Sequence, residues 1–179
     1  MNLFTNRISR LAVLAGASLT AAALFTGCAG YTLGPAKPAA LGEVNTIYIP
    51  TFSNVTLEPH AEMLVTNTVI KEFQLDGTYK MVNYDNADAV LECTIQHIDR
   101  RPRRSVRGNV LATSEFELEL EIKYELQGRA NGVTLKAGSV RGSTSFFVGD
   151  DIQQQERQAI PLAAEDAAKE LVSRLAEGW

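Results

Sequence analysis

Residues 114–126 read SEFELELEIKYEL. Phe116, Leu118, Leu120, Ile122, Tyr124 and Leu126 alternate with Glu115, Glu117, Glu119, Glu121, Lys123 and Glu125. Successive side chains of a strand point to opposite faces, so this run has one apolar side and one carboxylate-rich side. Such strict alternation predicts an antiparallel sheet with one buried face and one wet face.

The flanking segments supply partners for that strand. Downstream, RANGVT carries Asn131-Gly132, a hairpin signal, and a further strand is expected from about Lys136 to Val148. Upstream, Ala89, Leu91, Cys93, Ile95 and His97 alternate with Glu92, Thr94 and Gln96, which reads as a strand with those five on its apolar face. Between the two lies DRRPRRSVRG, expected to be a basic loop. Nearer the N-terminus, TIYIPTF (Thr46 to Phe52) is β-branched and aromatic and reads as a first strand; Pro50 suggests an edge or a strand end. The segment SNVTLEP follows as a loop, and Pro59 suits the first position of a helix. Ala61, Leu64, Val65, Thr68, Val69 and Phe73 then recur at helical spacing until Gly77. Tyr79 to Val82 reads as extended structure ahead of the turn-like NYDNAD. At the C-terminal end Asp150 and Asp151 can cap a last helix, with Ile160, Ala163, Ala164, Ala167, Leu171, Val172 and Leu175 as its apolar stripe. Pro161 is expected to kink that helix or to mark its true start. The expected order is β-α-β-β-β-α. This predicts an α+β two-layer sandwich, with two helices packed on a mostly antiparallel four-stranded sheet.

The first residues read as a targeting signal. Arg7 and Arg10 precede LAVLAGASLTAAALF (Leu11 to Phe25), an uncharged run of signal-core length and short of the ~20 apolar residues a membrane span needs. Thr26 and Gly27 then precede Cys28, the bacterial lipobox pattern. Cleavage before Cys28 leaves its thiol to take diacylglycerol and its amine an acyl chain such as palmitate. Ala29 follows, without the aspartate that retains enterobacterial lipoproteins in the inner membrane, so outer-membrane, periplasm-facing anchoring is expected. The domains expected are a signal peptide (1–27), a lipidated cysteine with a Gly/Pro/Ala-rich tether (28–44), and a sandwich domain (45–179). Losing Arg7 and Arg10 takes the net charge from −4 to about −6, a poor balance for binding nucleic acid. With Cys28 acylated, Cys93 has no partner for an internal disulfide.

No catalytic constellation stands out. His60 and His97 lie apart from other metal-type ligands, so no metal and no cofactor beyond the lipid on Cys28 is expected. On an apolar strand face, His97 reads as a partly buried histidine and Cys93 as a core residue. The glutamates of 115–125 read either as a solvated face or as an acidic surface that meets a partner. The most pointed feature is Arg100, Arg101, Arg103, Arg104 and Arg107. Guanidinium groups grip phosphate through paired hydrogen bonds and stay charged, so the cluster suits a polyanionic ligand; the bland reading is a solvated loop. Lys136, across the next hairpin, is a candidate sixth member.

Taken together, GCAGYTLG after the signal, IYIPTFSNVTLEP before the first helix, ADAVLECTI and the closing ERQAIPLAAEDAAKELVSRLAEGW resemble the lipopolysaccharide-assembly lipoprotein family, LptE. The resemblance covers nearly all of Cys28 to Trp179. It implies a small sandwich seated in a large outer-membrane β-barrel, LptD, as plug and assembly factor for lipopolysaccharide export, and it implies lipopolysaccharide binding and no enzymatic activity. The better-known members continue into a polar C-terminal tail, whereas this sequence stops at Trp179. Two other readings share the anchor: a lipid-tethered scaffold or adaptor of another envelope complex, and a lipoprotein enzyme, for which the sequence offers no buried acid or nucleophile at proper spacing.

Overall fold

The computed structural model describes residues 37–38, 41–106, 109–147 and 151–177. The signal peptide, Cys28, Arg107, Gly108, Asp150 and Trp179 lie outside them. The strands are β1 (Thr46–Tyr48), β2 (Ser53–Asn54), β3 (Lys80–Met81), β4 (Ala89–Val106), β5 (Asn109–Gly128) and β6 (Thr134–Phe147). The helices are α1 (Ala61–Asp76) between β2 and β3, and α2 (Ile152–Ala176) after β6.

The α+β class holds, with two helices on one sheet, but the sheet is mixed and six-stranded rather than four-stranded and mostly antiparallel. Its order is β3-β1-β4-β5-β6, with β2 also on β4. The meander β4–β5–β6 is antiparallel, while β1, β2 and β3 add parallel pairings. Two of the added strands are two residues long. Ser53–Asn54 lies in a segment read as a loop; it pairs through its backbone with Thr94 and Ile95, and no side-chain alternation marks so short a piece.

The apolar row of β5 is the centre of the core. Leu118, Leu120, Ile122 and Leu126 are completely buried, with Tyr124 almost so. They meet Leu91, Cys93 and Ile95 of β4 and Val140 of β6. The helices cover this face side by side: Val65, Val69 and Phe73 project from α1, and Ala163, Ala164, Ala167, Ala168 and Leu171 from α2. Alanines let α2 sit close. At Gly142 of β6 there is no side chain at all, and an added Cβ would lie 2.2 Å from both Ala163 O and Ala167 N. Leu41 and Val44 also belong to the core, although they fall in the stretch expected to be tether. Burial pushes the Cys93 thiol well up, with the charge of Glu92 adding to the shift, so its place in the core is chemically quiet.

Helix ends follow local chemistry. Gly77 ends α1 with φ of 74°, a conformation that costs glycine nothing, and its N–H donates to Phe73 O. Asp151 caps α2, its Oδ1 accepting Gln154 N–H at 3.0 Å. Pro161 neither starts nor ends α2; the helix runs through it. At the other end, Tyr79 Oη donates to Leu175 O at 2.7 Å. Desolvation, with Asp76 nearby, pushes the Tyr79 hydroxyl up to about 12.

Two expectations about β4 are overturned. The basic loop is strand: β4 runs to Val106 and pairs through Arg104 with β5. Past Ile95, no strand among the described residues pairs with β4 on its far side, and Pro102 is tolerated at this edge. His97 is exposed rather than buried. A bulge at Gln96 adds one residue between Ile95, opposite Ile122, and His97, opposite Glu121. The extra residue turns the side chains from His97 to Pro102 to the other face.

Candidate functional site: the charged outer face of the sheet

With both of these helices on one side, the opposite face of β4–β5–β6 carries no helix or strand among the described residues. Its middle row is Glu115, Glu117, Glu119, Glu121, Lys123 and Glu125. The β6 row beside it is Phe147, Ser145, Ser143, Arg141, Ser139 and Ala137. On the β4 side the bulge brings His97, Asp99 and Arg101 opposite Glu121, Glu119 and Glu117. A run of carboxylates on one strand face repels itself, and arginines from both flanking strands relieve that repulsion. Arg101 Nη1 lies 3.3 Å from Glu119 Oε2 and Arg104 Nε 3.6 Å from Glu115 Oε2. From the other side Arg141 Nε lies 3.0 Å from Glu121 Oε2 and 3.7 Å from Glu119 Oε1. At the far end of the row the Glu125 carboxyl is held below the usual range, first by the Thr134 hydroxyl and then by the Gln127 side chain.

The structure divides the predicted arginine cluster. Arg100 follows the bulge onto the inner side, opposite Leu118. There its guanidinium lies 4.9 Å from the Phe116 ring centre, and its Nη1 donates to Glu156 Oε2 of α2 at 2.7 Å. Arg101 and Arg104 join the outer face through their ion pairs with Glu119 and Glu115. Arg103 sits at a second register shift, between Pro102 and Arg104, and its Nη1 reaches over β5 to Ser145 Oγ on β6 at 2.7 Å. Among the described residues no carboxylate lies within ion-pair distance of Arg103. Arg107 lies outside the described residues.

Lys136 does not join this group. It stands opposite Leu126, whereas Arg101 stands opposite Glu117, roughly 30 Å further along β5 at strand rise. Its ammonium instead donates to Arg174 O at 2.6 Å, meeting a carbonyl that the last turn of α2 leaves without an intrahelical donor. Distance along a hairpin, invisible in residue numbering near a turn, separates it from the arginines.

The exposed pairs give this face a particular property. Arg101 and Arg104 have well over half of their side-chain surface in water, while the Glu119 and Glu115 carboxylates they meet are largely covered. Surface pairs of this kind contribute about 0–1 kcal/mol each, so the guanidinium groups can exchange partners at little cost. Among the described residues no cluster of His, Cys, Asp or Glu is arranged to hold a metal ion, and no helix is long and apolar enough to cross a membrane.

Two helices on a mixed sheet of this kind recur in known proteins. A lipoprotein B from Nitrosomonas europaea superposes with a TM-score of 0.53 at 14% identity, over 82% of this chain and 90% of its own. A point variant of the PelC dodecamer from Paraburkholderia phytofirmans gives 0.51 at 17% identity, over 81% and 96%. A minor lipoprotein from Acinetobacter baumannii gives 0.50 at 13%, over 74% and 93%. At such identities these likenesses concern the fold alone. No curated protein matches by sequence. The model of the lipopolysaccharide-assembly family, LptE, matches residues 44–175, from the core valine ahead of β1 to the last turn of α2. That match takes in every strand and nearly all of both helices, and this chain belongs to the LptE family of lipopolysaccharide-assembly proteins.

Proposed function

We propose that this chain is an outer-membrane lipoprotein, anchored through Cys28, that works with an LptD-type β-barrel as plug and assembly factor for lipopolysaccharide transport. Family membership over residues 44–175 is the observation that carries this reading. The sheet supports it: barrel lumens are polar, and the outer face of β4–β5–β6 is a charged surface with no helix over it among the described residues. The lipid on Cys28 supplies the anchor and no chemistry.

Within that reading, the arginine end of the face binds phosphates of lipopolysaccharide. A phosphate with two charges displaces the glutamates that Arg101 and Arg104 now hold, and Arg103 is free of any carboxylate among the described residues. Arg100, Arg101, Arg103, Arg104 and Arg107 are therefore the proposed ligand contacts, with Arg100 acting from the α2 side; Lys136 stands apart from them. Replacing the five arginines with glutamine is expected to weaken lipopolysaccharide binding by about tenfold or more at low salt, and by less in high salt, because the term removed is screened. A titration with purified lipopolysaccharide at two ionic strengths measures this. Unchanged binding at low salt rules out the phosphate contacts, while barrel recovery from outer membranes with the same variant reports on the plug role separately.

A further inference from the structure

The free edge of β6 is guarded unevenly. Ser143 N–H donates to Asp166 Oδ2 of α2 at 2.9 Å, so at Ser143 the backbone N–H points away from β5. In an antiparallel ladder this direction repeats every second residue. Residues 139, 141, 145 and 147 of β6 therefore also aim N–H and C=O at the open edge, because the β5–β6 register has no shift over this length. Helix α2 covers two of these points: Asp166 takes Ser143 N–H, and Arg174 Nη1 donates to Ser139 O at 3.2 Å. Beyond Ser143, among the described residues, no side chain of α2 takes up the backbone of this edge. The backbone of Ser145 and Phe147 opens onto a groove of about 300 Å³ between the strand edge and α2, walled by Phe146, Ala159 and Leu162. Phe147 and Leu162 are 67% and 55% exposed at its rim.

We propose that this groove receives a short extended segment of the β-barrel partner, which adds to the edge of β6 as a further strand. The inference rests on the barrel partnership proposed above and specifies one point of contact in it. Exposed backbone donors and acceptors beside an apolar wall are what strand addition uses: main-chain bonds hold the segment and alternate side chains fill the groove. An acyl chain fits less well. It would bury the N–H and C=O groups of Ser145 and Phe147 without a partner, and each buried orphan costs its full desolvation. Charge selects the segment further. No lining residue is ionised, and the cation that touches Ser145 is the guanidinium of Arg103, on its Oγ at 2.7 Å, against Asp166 two residues away at Ser143 and Glu117 across the ladder. The incoming strand thus places an acidic side chain on the outer face against Arg103, and an apolar side chain one residue away against Ala159 and Leu162.

Ser145 allows a clean test. Its N–H faces the groove, so Ser145→Pro removes that donor without costing a bond to β5, and Ser145→Ala removes only the hydroxyl. Full-length lipidated variants are recovered from outer membranes, and the co-purified barrel is quantified against wild type. The expected result is about a tenfold loss for Ser145→Pro and less than about twofold for Ser145→Ala. Leu162→Glu, on the exposed helix surface, is expected to match the proline variant and keeps the test decisive if proline perturbs the strand. A photo-crosslinker at position 162 is expected to capture one acid-bearing segment of the barrel. Barrel recovery equal to wild type in both Ser145→Pro and Leu162→Glu overturns the proposal, as does crosslinking to lipid or to a second copy of this chain. If wild type itself recovers no barrel, the partnership fails first; if wild type recovers it and the variants do too, only the strand addition fails.

Discussion

Single groups in this fold have effects that can be separated by measurement. Asp88 Oδ2 accepts the backbone N–H of Asn45 at 3.0 Å and of Thr46 at 2.8 Å, which holds the start of β1 against the start of β4. The Thr46 hydroxyl and then those N–H groups keep its carboxyl below the usual carboxylate range. A depressed folded value means that the stabilisation is complete above the unfolded value, about 3.9, and is lost as pH falls through the folded one. Asp88→Asn is expected to cost about 1 kcal/mol at pH 7, modest because the site is wet. The gap between wild-type and variant urea midpoints should shrink below about pH 4; a gap that persists at pH 2 contradicts the assignment. Gly142 is less forgiving. A methyl group there meets the backbone of α2 rather than a side chain able to swing away. Gly142→Ala is expected to cost about 3 kcal/mol or more, read from denaturant unfolding.

At the scale of elements, α2 carries an internal flaw. Pro161 has no N–H for the Arg157 carbonyl, and its ring faces solvent, so nothing in the core needs it. Pro161→Ala is expected to raise stability by about 1 kcal/mol, a few degrees in thermal midpoint; a lower midpoint would mean that the bend it imposes is used in packing. How far each element was legible in the sequence follows from how its information is carried. The alternation of Glu115 to Leu126 stated β5 and both faces of the sheet outright, because side-chain period and burial coincide there. The stripes of α1 and α2, the stop at Gly77 and the cap at Asp151 were equally open. The second half of β4 was not. Arginines around a proline have the composition of a loop, and they form strand because the glutamates of β5 lie opposite. The bulge at Gln96 left no mark in composition, yet it decided that His97 faces water and that Arg100 turns to α2. Strands of two residues, such as Ser53–Asn54 and Lys80–Met81, exist only through backbone pairing and have no pattern to read. The groove at Ser145 was hidden for another reason: it depends on which way a backbone N–H points, which no side-chain pattern records.

For the whole molecule, the proposed anchor at Cys28 and the sandwich are tested separately. Cys28→Ser removes the thiol proposed to take diacylglycerol, and with it an attachment of about 0.8 kcal/mol per buried CH₂. The variant is expected to leave the membrane pellet for the soluble periplasmic fraction with its unfolding midpoint unchanged; retention in the pellet would refute acylation at this residue. The mixed sheet also has a temporal side. Thr46–Tyr48 lies between Lys80–Met81 and Ala89–Val90, and both neighbours come later in the chain. Joining them means closing a long connection through α1, whereas β4, β5 and β6 zip up through short turns. The part synthesised first is thus the part that must wait, unpaired, until the middle of the polypeptide has arrived. If the chain is exported unfolded, as the proposed anchoring requires, that delay leaves a β-prone segment in need of shelter from premature association.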